Sequence, residues 1–147
     1  MLSLKPILLV EDDVVDAATV KQALQDLRVK NPVVHKTDSE EAIEYLRGQD
    51  NQRPSLILLD LNMPKINGIE LLQTVRSDPQ MQQIPVVVLT VSKYEQDKLN
   101  TFNLSVAGYV IKEVDYDAFL HSMDIVTQYW ALNGLVERER VTEYARF

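Results

Sequence analysis

Four apolar runs in this chain each end on a residue that can do chemistry. Ile7-Leu8-Leu9-Val10 leads into Glu11-Asp12-Asp13, and Leu56-Ile57-Leu58-Leu59 leads into Asp60. Pro85-Val86-Val87-Val88-Leu89 leads into Thr90, and Ala107-Gly108-Tyr109-Val110-Ile111 leads into Lys112. If the runs are neighbouring strands of one sheet, those ends converge. Three carboxylates brought together cannot all stay ionised without a counter-charge. A hard divalent cation with oxygen ligands supplies it, and Mg²⁺ suits a site that keeps several waters. A cation beside Asp60 could take a phosphoryl oxygen as a further ligand and offset the charge built up as the carboxylate attacks phosphorus. Lys112 can pair with a second phosphoryl oxygen, and the Thr90 hydroxyl can donate to a third. Taken singly, each residue has a plainer reading: Asp60 or Asp13 as a helix cap, Glu11 and Asp12 as acids facing a helix dipole, Thr90 and Lys112 as ordinary strand ends. Their occurrence together, at the ends of successive strands, is what points to a phosphoryl-transfer site.

The elements that must position these residues alternate along the chain. Ile7 to Val10 reads as a strand, followed by a helical stripe of Ala17, Val20, Ala23, Leu24 and Leu27. Pro32 to Lys36 is a shorter strand, expected nearer a sheet edge. Ser39 is the expected N-cap of a second helix, with Glu40 and Glu41 in its first turn and Gly48 at its end. Leu56 to Leu59 has the unbroken aliphatic pattern of a strand buried on both faces. Pro64 and Asn67-Gly68 then turn the chain into a helix through Ile69, Leu71, Leu72 and Val75. After the Pro85–Thr90 strand comes a weakly amphipathic helix from Tyr94 to Asn103, then the Ala107–Ile111 strand, and last a long helix from about Asp115 to Leu132. Five strands alternating with five helices predict a doubly wound α/β fold: one parallel sheet with right-handed crossovers. The flavodoxin-like order 2-1-3-4-5 is expected, with Asp60 at the carboxyl edge where such sheets bind ligands.

Composition excludes several function classes. A chain of 147 residues, 46% hydrophobic and 25% charged, is an ordinary globular domain with a sizeable core. The net charge of −7 and the lack of a basic stripe argue against a nucleic-acid surface. There is no cysteine, which removes disulfides, thiolate catalysis and cysteine-held zinc. The apolar start is interrupted by Lys5-Pro6 and ends in acids, unlike a signal peptide, and no stretch approaches a membrane span. A cytoplasmic protein is expected. His35 and His121 lack a partner at metal-ligand spacing and read as structural or surface residues.

Over roughly residues 5 to 130 the chain resembles the receiver domain of two-component response regulators. The residues that carry the resemblance are Leu8 to Asp13, Leu58-Leu59-Asp60-Leu61-Asn62-Met63-Pro64 with Gly68, Pro85 to Thr90, and Tyr109 with Lys112. The resemblance implies that Asp60 accepts a phosphoryl group from the phosphohistidine of a sensor kinase. It implies that Glu11, Asp12, Asp60 and the backbone carbonyl of Asn62 hold Mg²⁺, and that Thr90 and Lys112 engage the phosphoryl group. Thr90 and Tyr109 would be the switch residues, reshaping the face made by the fourth helix, fifth strand and fifth helix. Asn62 and Ser92 would flank the path of attacking water and tune the lifetime of the phosphate. One departure stands out: the family usually has proline, in a cis peptide, after the strand-five lysine, whereas here Glu113 follows Lys112.

The last helix carries two apolar stripes. Tyr116, Phe119, Leu120, Met123, Val126 and Trp130 should pack on the sheet, whereas Ile125, Tyr129 and Leu132 fall roughly opposite and mark a candidate protein contact. Alternatively, Gly134 lets Leu135-Val136 and the closing Val141, Tyr144 and Phe147 fold back over that second stripe. No output domain is expected after the helix, so the chain divides into a receiver domain over 1–132 and a C-terminal extension over 133–147. The tail, the Trp130 region and the lysine without a following proline are similar to single-domain receivers that pair with cyanobacterial phytochromes. That similarity implies a phytochrome-type histidine kinase as partner and a homodimer. Two other readings remain: a Mg²⁺-dependent phosphohydrolase of the haloacid-dehalogenase type, and a receiver-like interaction module that works without phosphorylation. The first looks for an aspartate two residues after the nucleophile, where this chain has Asn62, and for a cap domain for which there is no room.

Overall fold

A computed structural model describes residues 4–48, 50–61, 68–90 and 104–139, the side chain of Thr90 excepted. Five strands form one parallel sheet: β1 (Ile7–Val10), β2 (Val33–Lys36), β3 (Leu56–Asp60), β4 (Val86–Thr90) and β5 (Gly108–Ile111), in the order β2-β1-β3-β4-β5. The strand order expected from the sequence is therefore the observed one. Four helices lie within the described residues: α1 (Val14–Asp26), α2 (Ser39–Arg47), α3 (Gly68–Ser77) and α4 (Tyr116–Leu132). The helix expected over 94–103 lies outside them.

The strands are short because their signals are short. Pro32 and Pro85 precede β2 and β4 rather than joining them. Each lacks an N–H to donate, but its carbonyl accepts the first ladder bond, from Ile7 at 2.8 Å and Ile57 at 3.0 Å respectively. β1 and β3 are buried along their whole length, and their alternating side chains fill two cores. Ile7, Leu9, Leu56, Leu58, Val87 and Leu89 pack under α1 and α4, whereas Leu8, Val10, Ile57, Leu59, Val86 and Val88 pack under α2 and α3. Burying each such side chain is worth about 1.5–3 kcal/mol, so the two central strands hold the sheet edge above them in place.

α1 begins as expected at Asp13, whose Oδ1 accepts from the backbone N–H of Val15 at 2.8 Å and of Asp16 at 2.9 Å. α2 corrects the expected cap: Asp38, not Ser39, is the N-cap, accepting from Glu41 N–H at 2.7 Å. Its carboxylate stands three residues before Glu41, whose own side chain accepts from Thr37, so the cap forms one residue earlier than expected. Gly68 opens α3 against the Leu61 side chain, where a Cβ would stand 2.6 Å from Leu61 Cδ2.

α4 presents Phe119 and Met123 to the core, flanked by Tyr116, Leu120, Val126 and Trp130, as its inner stripe predicts. The opposite stripe stays in solvent: Ile125 is 58%, Tyr129 56% and Leu132 88% exposed. Gly134, at φ 76°, reverses the chain after α4. Residues 135–139 then run away from that stripe, toward the end of α1. Val136 is buried in the α1–α4 core, and Arg138 bridges Val29 in antiparallel fashion. The Arg138 guanidinium donates to Leu27 O at 2.7 Å and to Asp124 Oδ1 on α4 at 2.6 Å. Asn31, also buried, donates to Lys5 O at 2.8 Å and accepts from Glu137 N–H at 2.6 Å. The described part of the tail thus ties α1 to α4; Val141, Tyr144 and Phe147 lie outside the described residues.

Candidate functional site

The carboxyl ends of β1, β3 and β5 bring Glu11, Asp12, Asp60 and Lys112 together. Ladder bonds fix the positions: Glu11 N–H donates to Lys36 O at 3.0 Å, and Leu61 N–H to Leu89 O at 3.4 Å. His35, on β2, adds a cross-strand tie, its Nε2 lying 2.7 Å from the Glu11 carbonyl oxygen. That contact gives His35 the structural part expected of it. One carboxylate oxygen each from Glu11, Asp12 and Asp60 lies within 4.8 Å of the others. Glu11 and Asp60 are almost wholly buried, and Asp12 is half-buried.

Charges packed this closely change the protonation of the site. Burial pushes the Glu11 carboxyl up to about 8, and the hydrogen bond it shares with Asp60 and the charge of Asp60 push the same way. Asp13 N–H, which donates to Glu11 Oε1 at 3.1 Å, and the Lys112 ammonium pull it partly back. At neutral pH the cation-free protein therefore keeps the Glu11 proton. Lys112 Nζ donates to Asp60 Oδ2 at 2.8 Å, to Asp16 Oδ2 at 2.9 Å and to Glu11 Oε2 at 3.3 Å. Burial disfavours its charge, but the hydrogen bonds to Asp60 and Asp16 and the charges of Asp60 and Glu11 outweigh that and raise its pKa. The Lys112–Glu113 peptide is trans, there being no cis peptide bond among the described residues. The lysine nevertheless reaches the carboxylates, so the missing proline does not displace it.

The site fits a hard cation by its own chemistry. Three clustered carboxylate oxygens at the ends of two adjacent strands form the donor set that an oxygen-preferring divalent ion takes. Thr90 closes β4 opposite Ile111, which puts its backbone at the same edge. Tyr109, on β5, pairs with Val88 of β4 and is partly buried against the α2–α3 core. Asn62 and Ser92 lie outside the described residues. Ile125, Tyr129 and Leu132 belong to α4 and take no part in this cluster. Sequence reasoning missed Asp16. Its signal was available: Asp13 caps α1, which places Asp16 in the first helical turn, above the same sheet edge.

Comparison with known proteins gives one consistent result. The family model described as the response regulator receiver domain matches residues 7–124. The response regulator Rcp1 of Synechocystis sp. is 34% identical over 130 residues, spanning 86% of this chain and 88% of Rcp1. The crystal structure of the phosphorylated cyanobacterial phytochrome response regulator RcpA superposes with a TM-score of 0.77 at 38% identity, covering 88% of this chain and 95% of that one. The structure of the Mn²⁺-bound form of Rcp1 superposes with a TM-score of 0.75 at 34% identity, covering 86% and 94%. Among the described residues no helix is long and apolar enough to cross a membrane.

Proposed function

The chain belongs to the response regulator receiver family, and we propose that within it Asp60 accepts a phosphoryl group from the phosphohistidine of a phytochrome-type histidine kinase. The observation that carries this reading is the convergence of Glu11, Asp12 and Asp60 with the Lys112 ammonium on one sheet edge. In the transfer, an Asp60 carboxylate oxygen forms the bond to phosphorus as the phosphorus–nitrogen bond to the kinase histidine breaks. Lys112, now 2.8 Å from Asp60 Oδ2, moves its hydrogen bond onto a phosphoryl oxygen, and the Thr90 hydroxyl donates to another. Glu11, Asp12, Asp60 and the Asn62 carbonyl would hold Mg²⁺, which when bound adds positive charge next to the phosphoryl oxygens. The acidic cluster supports a cation there.

The kinase class rests on similarity to Rcp1 and RcpA over most of this chain. Thr90 and Tyr109 relay the change to the face made by the helix expected over 94–103, β5 and α4. Asn62 and Ser92 tune how long the aspartyl phosphate lasts. The exposed Ile125, Tyr129 and Leu132 stripe is the contact for a second copy of the chain, because a helix that covers a sheet needs just one apolar stripe. The family is one of signalling proteins rather than classical enzymes, so one phosphorylation per chain is expected, not turnover of phosphate esters. The test is incubation with acetyl phosphate and Mg²⁺. Wild type is expected to give an alkali-labile phosphorylated product and Asp60→Asn none, whereas equal labelling of the two would remove the assignment.

A further inference from the structure

Lys112 has three carboxylate partners, and they are of two kinds. Glu11 and Asp60 belong to the trio whose oxygens cluster within cation-binding distance; Asp16 does not. Yet the bond from Lys112 to Asp16, at 2.9 Å, is close in length to that to Asp60, at 2.8 Å, and shorter than that to Glu11, at 3.3 Å. Asp16 sits in the first turn of α1, three residues past the capping Asp13, with 47% of its side chain exposed. A negative charge is favoured there by the helix dipole. The three residues after Lys112, Glu113, Val114 and Asp115, are all exposed. A lysine is a compact charge on a flexible four-carbon stem, so its partners decide where its ammonium rests.

A divalent cation bound by the trio would compete with Lys112 for Glu11 and Asp60 but leave Asp16 to it. We propose that Asp16 is a positioning residue: it retains the Lys112 ammonium at the sheet edge while Glu11 and Asp60 are engaged by a divalent cation, so that Lys112 is already in place for the incoming phosphoryl oxygen. This rests on the reading of Asp60 as phosphoacceptor. With acetyl phosphate as donor, an Asp60 oxygen forms the bond to phosphorus as the phosphorus–oxygen bond to the acetyl group breaks and acetate leaves. Lys112 neutralises charge on a non-bridging phosphoryl oxygen and transfers no proton. Asp16 touches neither the phosphorus nor the leaving group and acts through Lys112 alone.

The test compares wild type, Asp16→Asn, Lys112→Ala and the double variant at saturating Mg²⁺, with Asp16→Ser as a second substitution and circular dichroism to establish that each is folded. Asp16→Asn is expected to slow phosphorylation by acetyl phosphate about tenfold, the size of one charge-assisted hydrogen bond expressed as a rate. In the Lys112→Ala background the same substitution should add no further loss. Calorimetry should find that Asp16→Asn still binds Mg²⁺, because Asp16 stands outside the ligand group. In nuclear magnetic resonance spectra of the Mg²⁺-saturated, unphosphorylated protein, the Lys112 ammonium signal should be protected from exchange in wild type and broadened away in Asp16→Asn. An unchanged rate with an unchanged ammonium signal, or losses that multiply independently in the double variant, would overturn the proposal while leaving Asp60 in its role. Labelling of Asp60→Asn at the wild-type rate, included as a reference, would remove both.

Discussion

Binding of a divalent cation to this protein should release a proton, in a number that the site geometry sets. Glu11 shares a proton with Asp60, and burial together with the Asp60 charge raises its pKa to about 8 from a usual value of 4.5. Between those two values the folded, cation-free protein holds a proton that the unfolded chain has lost. Stability in the presence of chelator must therefore fall as pH rises through that window, by up to roughly 1.4 kcal/mol per pH unit where one proton separates the two states. A divalent cation needs all three carboxylates ionised, so at pH 6.5 its binding should expel close to one proton per chain. Isothermal titration calorimetry of Mg²⁺ in two buffers of different ionisation enthalpy reads that number directly. Glu11→Gln, which cannot lose the proton, should bring it to about zero and weaken binding. Zero release by wild type at pH 6.5, or chelated protein that gains stability between pH 5 and pH 8, would show that Glu11 and Asp60 are not coupled as described.

Arg138→Ala should destabilise the fold by about 1–3 kcal/mol in urea unfolding, because it removes the Leu27 carbonyl's guanidinium donor and leaves the half-buried Asp124 with the Gln128 amide but no counter-charge. An unchanged midpoint would mean that the tail does not fasten α1 to α4. Arg28, at φ 60°, is held in the left-handed region by bonds from its N–H to Gln25 O and from Glu139 N–H to its own carbonyl. Arg28→Gly should thus raise stability by about 0.5–1 kcal/mol, and a loss would contradict the strain assigned to that turn. Ile125→Glu or Tyr129→Glu should raise the dimer dissociation constant at least about tenfold in sedimentation, as expected for a charge placed within an apolar contact. Association unchanged by both would discard that surface.

Much of the site was legible because each apolar run ends abruptly on its chemical residue. An unbroken aliphatic run such as Leu56 to Leu59 fits an inner strand, which puts Asp60 at its carboxyl end, and the same logic places Glu11 and Lys112. What pattern alone does not give is contact between elements far apart in sequence. Asp16 reads as a first-turn acid of α1, and its bond to Lys112 depends on how α1 lies over the far end of β5. The direction of the tail was open for a similar reason. Val136 suits either face of α4, and the choice is made by Asn31 and Arg138, polar residues that anchor the backbone of α1 and the tail from within. The Asp38 cap was missed by one residue because Asp-Ser offers two capping side chains in a row, and Glu41 selects the one three residues before it.

The central claim is that acids from two adjacent strands and a lysine from a third capture a cation and a phosphoryl group on one named carboxylate. Phosphotransfer from an autophosphorylated phytochrome-type kinase in Mg²⁺, followed by borohydride reduction and peptide mapping by mass spectrometry, tests it most directly. A single reduced residue is expected, at Asp60, and no transfer when chelator replaces Mg²⁺. Modification at any other residue, or undiminished transfer under chelator, would contradict it.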